Sequence, residues 1–205
     1  MRRLIAAALV SAIAVPAAAN SLDIPSGTYE NDRTHTAVVW KINHMGFSTY
    51  TGMLDRAGIS ATVELDADDV SQSALSVDMS QADTVTAHPI EFDPRGIDFD
   101  EEIASDMFLN SAEHPISFRS TAIEVTGENT ADITGDLTLN GQTNPVVLKA
   151  TLNQAMEHPM VGVPAFGISA TTVIDRTEWG IDALAGPIGT DVTLTIDAEF
   201  FHQAQ

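Results

Sequence analysis

The chain contains no cysteine. Thiolate catalysis, iron–sulfur clusters, cysteine-ligated zinc and disulfide staples are therefore excluded, and stability must come from packing and backbone pairing. Basic residues are scarce: nine Lys and Arg stand against 29 Asp and Glu, a formal net charge of −20. A surface of that sign repels phosphate backbones and anionic headgroups, which makes nucleic acid a poor partner. Chemical signatures are missing as well. There is no G-x-S-x-G, no H-E-x-x-H, no phosphate-binding loop and no dinucleotide fingerprint. The six histidines, His35, His44, His88, His114, His158 and His202, never fall two or four residues apart, so no local zinc pair exists.

Long apolar runs are absent except at the N-terminus. MRRLIAAALVSAIAVPAAAN opens with Arg2 and Arg3, continues with an apolar stretch over residues 4–15 and ends in a run of alanines. This layout predicts a secretory signal peptide over residues 1–19, with a core too short to span a bilayer, and hence a periplasmic or secreted protein. Its removal takes two of the nine basic residues and no acid, leaving a net charge of −22. Residues 20–205 suit one domain, long enough to bury a core without staples and free of internal repeats or linkers.

What is present is alternation, the mark of half-buried strands. Val38, Trp40 and Ile42 share one face of AVVWKIN. Ile59, Ala61, Val63 and Leu65 do so in GISATVELD, and Leu75, Val77 and Met79 in SALSVDM. Ile133, Gly135, Leu137 and Leu139 follow in DITGDLTL, and Val192, Leu194, Ile196, Ala198 and Phe200 in DVTLTIDAEF. FGISATTVID reads as a further strand. In PISFRSTAIEV the parity of Ile116 and Phe118 differs from that of Ile123 and Val125, which a bulge near residues 120–122 reconciles. Asn140-Gly141 between two apolar runs is the strongest hairpin signal. Only DFDEEIASDMFLN breaks the period: Phe99, Ile103 and Met107 recur every four residues behind a capping Asp98 or Asp100, which predicts a short amphipathic helix. Eight or so antiparallel strands with one or two short helices fit a closed barrel or a sandwich.

His44-Met45 invites a haem reading, since His and Met ligate iron from opposite sides. Neighbouring side chains on a strand point to opposite faces, however, and no C-x-x-C-H is present. Gly46 then marks a bend, with Met45 or Phe47 turned inward and His44 at a cavity mouth or hydrogen-bonded locally. The carboxylates Asp93, Asp98, Asp100, Glu101 and Glu102 read as a solvated face. A glycosidase would need two acids held across a cleft. Two alternatives stay open at this point: a haem- or metal-binding redox protein using scattered histidines, and a carboxylate hydrolase.

Five stretches in order, GTYENDRTHTAVVWKINHMGFSTYTGML, IASDMFLNSAEHPISFRSTAIEV, GDLTLNGQTNPVVLKATL, IDRTEWGI and VTLTIDAEF, together resemble the YceI-like family of exported lipocalin-like proteins. The resemblance implies an all-β fold, an eight-stranded antiparallel lipocalin-like barrel with one or two short helices. It implies a non-enzymatic role without cofactor or metal, holding a long isoprenoid lipid (a quinone tail or polyprenyl amphiphile) for carriage, storage or sequestration. Stable membrane insertion is not implied; a homodimer is among the assemblies it suggests, and Arg176 is cast as a structural ion-pair partner. The chain departs from the family pattern in the acidity of HPIEFDPRGIDFDEEI and in Met107, which stands where an aromatic is usual.

Face parity and the resemblance together nominate the lining of the lumen. From the first strands come Val38, Trp40, Ile42, Phe47 and Met53. The helical stretch contributes Phe99, Ile103, Met107 and Phe108, and the strands after it Phe118, Leu137 and Leu139. The closing strands add Phe166, Ile168, Leu194 and Ile196. Burying hydrocarbon yields roughly 0.8 kcal/mol per CH₂. A forty-carbon chain thus offers on the order of 30 kcal/mol gross by that rule, so a dry, continuous tube needs no charged anchor.

Overall fold

The computed structural model describes residues 21–204; the predicted signal peptide lies outside the described residues. The alternating stretches form eleven strand segments: β1 (Gly27–Asn31), β2 (Ala37–His44), β3 (Ser48–Leu54), β4 (Ser60–Leu65), β5 (Ala74–Asp78), β6 (Thr84–Val85), β7 (Ser117–Val125), β8 (Thr130–Leu139), β9 (Gln142–Glu157), β10 (Pro164–Asp175) and β11 (Ile188–His202). Three pairs, β1 with β2, β3 with β4 and β5 with β6, are halves of one broken strand. The tally is then eight antiparallel strands closed into a barrel, as expected.

The breaks have local causes. Between β1 and β2, Asp32 caps a short 3₁₀ turn by accepting from the Thr34 amide, and Asp55 does the same for Ala57 between β3 and β4. Such side-chain acceptors compete with the ladder and let the chain step sideways. In β7 the register shifts between Ser120 and Ala122, where the parity conflict placed a bulge. Asn140 and Gly141 both adopt positive φ, 48° and 72°, and join Leu139 to Gln142 in a tight hairpin.

The ladder closes differently at the two ends. At the end formed by β1, β4, the start of β5 and the ends of β7 and β11, each strand pairs with two neighbours in the ring β1–β4–β5–β7–β8–β9–β10–β11–β1. At the other end, here called the mouth, the row runs β8–β9–β10–β11–β2–β3–β6 and stops, because β6 pairs only with β3. Residues 86–116 stand across this seam and carry the one α-helix among the described residues, α1 (Phe99–Ala104). Asp98 caps it through the Asp100 and Glu101 amides, and Asp100 in turn accepts from the Thr86 amide at 2.8 Å, which ties the helix to the end of β6. The helix is shorter than its periodicity suggested. Ser105 ends it, and Asn110, at φ 48°, turns the chain back.

Inward-facing residues form the core: Tyr29, Ile59, Phe118, Phe166, Trp179 and Phe200 are among its largest members. Trp179 is wholly buried at the mouth end and donates from Nε1 to the Leu137 carbonyl at 3.0 Å. No helix among the described residues is long and apolar enough to cross a membrane.

Candidate functional site

A cavity of about 230 Å³ lies in the mouth half. Val38, Trp40 and Ile42 of β2 line it together with Tyr50 and Leu54 of β3 and Val192 and Leu194 of β11, matching the cross-strand pairs Trp40 with Leu194 and Ile42 with Val192. Ile174 of β10, the cross-strand partner of Val192, continues this wall, and Leu137 and Leu139 of β8 extend it. Phe99, Ile103, Phe108 and Leu109 of the covering segment, and Ile181, Leu184 and Ile188 of the loop before β11, complete it. Val38, Trp40, Ile42, Val192 and Leu194 point inward yet stay half-buried, because they face a void and not a packed partner.

Trp40 is kept out of that void by Gly52. The two are cross-strand partners, and a Cβ at Gly52 would meet the indole at 2.2 Å. The absent side chain lets the ring lie flat on β3 and leaves the lumen free. An aromatic series then links wall to cover. Trp40 and Tyr50 have centroids 6.1 Å apart, Tyr50 and Phe99 5.7 Å, and His88 stacks on Phe99 at 4.0 Å. Arg95 also lies over Phe99, 5.5 Å from the ring centroid, and binds Asp93 at 3.1 Å. The Arg95 guanidinium holds the Asp93 carboxyl down at about 2.

A second cavity of about 110 Å³ lies in the closed half, lined by Leu22, Val63, Leu65, Leu75, Ile123, Ile133, Leu152, Phe166 and Ile168 among others. The two linings share no residue. Between them the inward positions are buried and line neither: Ile59, Ala61, Phe118, Leu148, Ala170 and Ala198. Phe118 fills this waist by lying on Gly135, where a Cβ would clash with its ring at 2.3 Å. The expected continuous tube is thus two chambers.

Nine of the sixteen nominated residues line the mouth cavity: Val38, Trp40, Ile42, Phe99, Ile103, Phe108, Leu137, Leu139 and Leu194. Phe166 and Ile168 line the far one. Five line neither. Phe118 sits in the waist, and Ile196 packs against the core beside it. Phe47 is 90% exposed and Met45 is also turned to solvent, so neither packs inward. Met45 and Gly46, at φ 55° and 74°, make the tight turn that reverses β2 into β3, and the turn carries Phe47 past the end of the wall. Met53 shares neither cavity because Tyr50, Gly52 and Leu54 hold the inward parity of β3. Met107 is 48% exposed, since α1 ends before its expected turn.

Several lining residues escaped the sequence reading. Tyr50 and Leu54 were legible from β3 parity, while Ile181, Leu184 and Ile188 belong to an irregular loop that carries no period. His44 does reach the cavity, as one of its two expected placements. Arg176 differs from its ion-pair role. Only 4% exposed, it donates from Nε to the Gly189 carbonyl at 3.0 Å, from Nη2 to Ile188 at 3.3 Å and from Nη1 to Ile181, clamping the loop to the barrel. Burial lowers its pKa.

Glu102 is the one carboxylate lining the mouth cavity among the described residues. Asp32, His35 and Glu199 form the one cluster of three potential metal-ligating side chains there. It lies outside the barrel, and Asp32 already accepts from Thr34 and His35. The Tyr50 hydroxyl and Thr84 Oγ1 are buried without hydrogen-bond partners, both where β3 and β6 meet the covering segment.

Comparisons with known proteins agree with this architecture. The YceI-like domain model matches residues 29–200. A UPF0312 protein of Pseudomonas savastanoi pv. phaseolicola is 36% identical over 172 residues, 83% of this chain and 82% of the relative. Burkholderia cenocepacia BcnA shares the fold at a TM-score of 0.64 and 17% identity, covering 82% of this chain and 98% of BcnA. So does a polyisoprenoid binding domain from Saccharophagus degradans, implicated in plant cell wall breakdown, at 0.57 and 10%, covering 85% and 98%. With a domain match running from the first strand to the last and over a third of the aligned residues identical in a relative covered to 82%, the chain belongs to the YceI-like family.

Proposed function

We propose that this is an exported, periplasmic or secreted binding protein, its signal peptide at residues 1–19, that holds the tail of a long isoprenoid lipid for carriage, storage or sequestration. The observation that carries the proposal is the mouth cavity: a void walled by aliphatic and aromatic side chains, inward-facing but unpacked. An apolar hollow of this kind gains free energy by trading water-facing surface for hydrocarbon, at roughly 25 cal/mol per Å². The polyisoprenoid-binding description of the Saccharophagus domain supports the same ligand class.

Binding, not catalysis, is the role this wall suits. One carboxylate, one imidazole and an arginine committed to carbonyls give no paired acid and base and no activated nucleophile. The waist limits what the mouth chamber takes without rearrangement to the first isoprene units of a long tail. Ala61, Gly135, Ala170 and Ala198 are its small members, and Phe118, with Ile59 and Leu148, is the bulk that must move for a longer stretch to enter.

The test is organic extraction of the natively purified, processed protein, followed by mass spectrometry, with osmotic-shock fractionation for location. A polyprenyl species near one per chain in the shock fluid is expected. An empty extract, together with no uptake of added polyprenol, overturns the proposal.

A further inference from the structure

We infer that the mouth cavity selects isoprenoid amphiphiles whose head is uncharged, such as a quinone, phenol or alcohol, and rejects polyprenyl phosphates and diphosphates. The inference rests on the isoprenoid reading above and adds the chemistry of the head. It comes from a census of cations. Seven Lys and Arg lie among the described residues, and only Arg176 lines the cavity. Its Nε, Nη1 and Nη2 each donate to a backbone carbonyl of the loop that closes the mouth, so an anionic head would have to undo the clamp to be bound.

The other six lie away from the cavity lining. Lys41 alternates with Trp40 and Ile42 and so projects from the outer wall, where it is exposed. Arg33 and Arg56 bond to the Ala57 and Thr34 carbonyls at the strand breaks. Arg119 reaches Ser76, Lys149 pairs with Asp132, and Arg95 pairs with Asp93. A phosphate needs donors with spare charge, most often Arg or Lys.

The cover opposes an anion further. Residues 86–116 hold eight carboxylates against one arginine, and Glu102 of α1 faces the cavity itself. Like charges brought together at a binding site are a recognised means of excluding wrong partners. A spare polar atom in the wall is neutral: the Tyr50 hydroxyl, buried and without a hydrogen-bond partner, between Trp40 and Phe99.

The experiment holds the tail constant and varies the head. Geranylgeraniol, a quinone with a four-isoprene tail, geranylgeranyl phosphate and geranylgeranyl diphosphate are titrated into the delipidated, processed protein, with tryptophan emission and native mass spectrometry as readouts. The alcohol and quinone are expected to bind, the monophosphate at least about tenfold more weakly and the diphosphate more weakly still. The gap should narrow in Glu102→Lys and as salt shortens the Debye length. Phosphate binding equal to or tighter than alcohol binding overturns the inference and leaves the isoprenoid reading standing. Failure of all four ligands overturns the isoprenoid reading, and the inference with it.

Discussion

At its far end the barrel is closed by an unbroken ring of eight strands, whereas at the mouth one sector of that ring is replaced by residues 86–116. The far chamber is the smaller, about 110 Å³, and is finished by Leu22 of the segment leading into β1. The mouth chamber is about twice that size and is finished by a six-residue helix and a clamped loop. A hydrogen-bonded ladder shares its strain along every strand, so it resists local opening. A seam held by side chains opens at lower cost. The two buried hydroxyls without partners, on Tyr50 and Thr84, both fall along that seam. The barrel thus keeps one half as an unbroken ring and holds its larger void in the half whose seam can be parted.

The largest expected effect tests whether the mouth is nonetheless anchored to the whole fold. Trp179→Ala removes a wholly buried indole and its bond to the Leu137 carbonyl, and should cost about 3–5 kcal/mol in denaturant unfolding. A loss under about 1 kcal/mol would mean that the mouth unfolds independently of the ring.

Next comes a contrast between chambers. Leu194→Trp fills the mouth cavity and should weaken polyprenol binding by about tenfold or more, while Ile168→Trp in the far chamber should leave it within about threefold, both read by titration. The reverse order would move the site to the closed half.

The seam itself is probed by Tyr50→Phe. Deleting a buried hydroxyl that has no partner relieves its desolvation, so thermal unfolding should show a gain of about 1 kcal/mol. A loss would reveal a partner for that hydroxyl and weaken the contrast between seam and ring.

The smallest effect lies where the two halves meet, at the turn between β1 and β2. The hydrogen bond that His35 Nδ1 donates to the Asp32 carboxylate, then the Glu199 charge, raises the His35 pKa above its ordinary value of 6.5. A raised value means the folded state favours the imidazolium. In an NMR titration His35 should therefore stay protonated above that pH in the parent chain and lose its proton earlier in Asp32→Asn. An unchanged titration would show that the turn is not held by this pair.

Much of the fold was legible because strand parity is a local property. Val38, Trp40 and Ile42, or Val192 and Leu194, declare one face by alternation alone, and the bulge in β7 announces itself as a change of parity between Phe118 and Ile123. Errors arose where the period ends. Phe47 and Met107 are large and apolar, and face parity with the family resemblance placed them inside. A tight turn after His44 and an early helix stop at Ser105 placed them outside. Met53 differs, since the inward position beside it on β3 belongs to Gly52, which has no side chain to mark the parity.

The sequence by itself determined the class of structure, the inward face of most strands, the hairpin at Asn140-Gly141 and the acidity of the cover, since each depends on residues within a few positions of one another. Tertiary structure alone decided that the lumen is two chambers and not one tube, that Arg176 spends its charge on carbonyls, and that a seam replaces part of the ring. Those outcomes depend on how far apart opposing walls stand and on which side chain meets an absent one, as Trp40 meets Gly52 and Phe118 meets Gly135. Alternation along a strand says which way a side chain points and nothing about what it finds there.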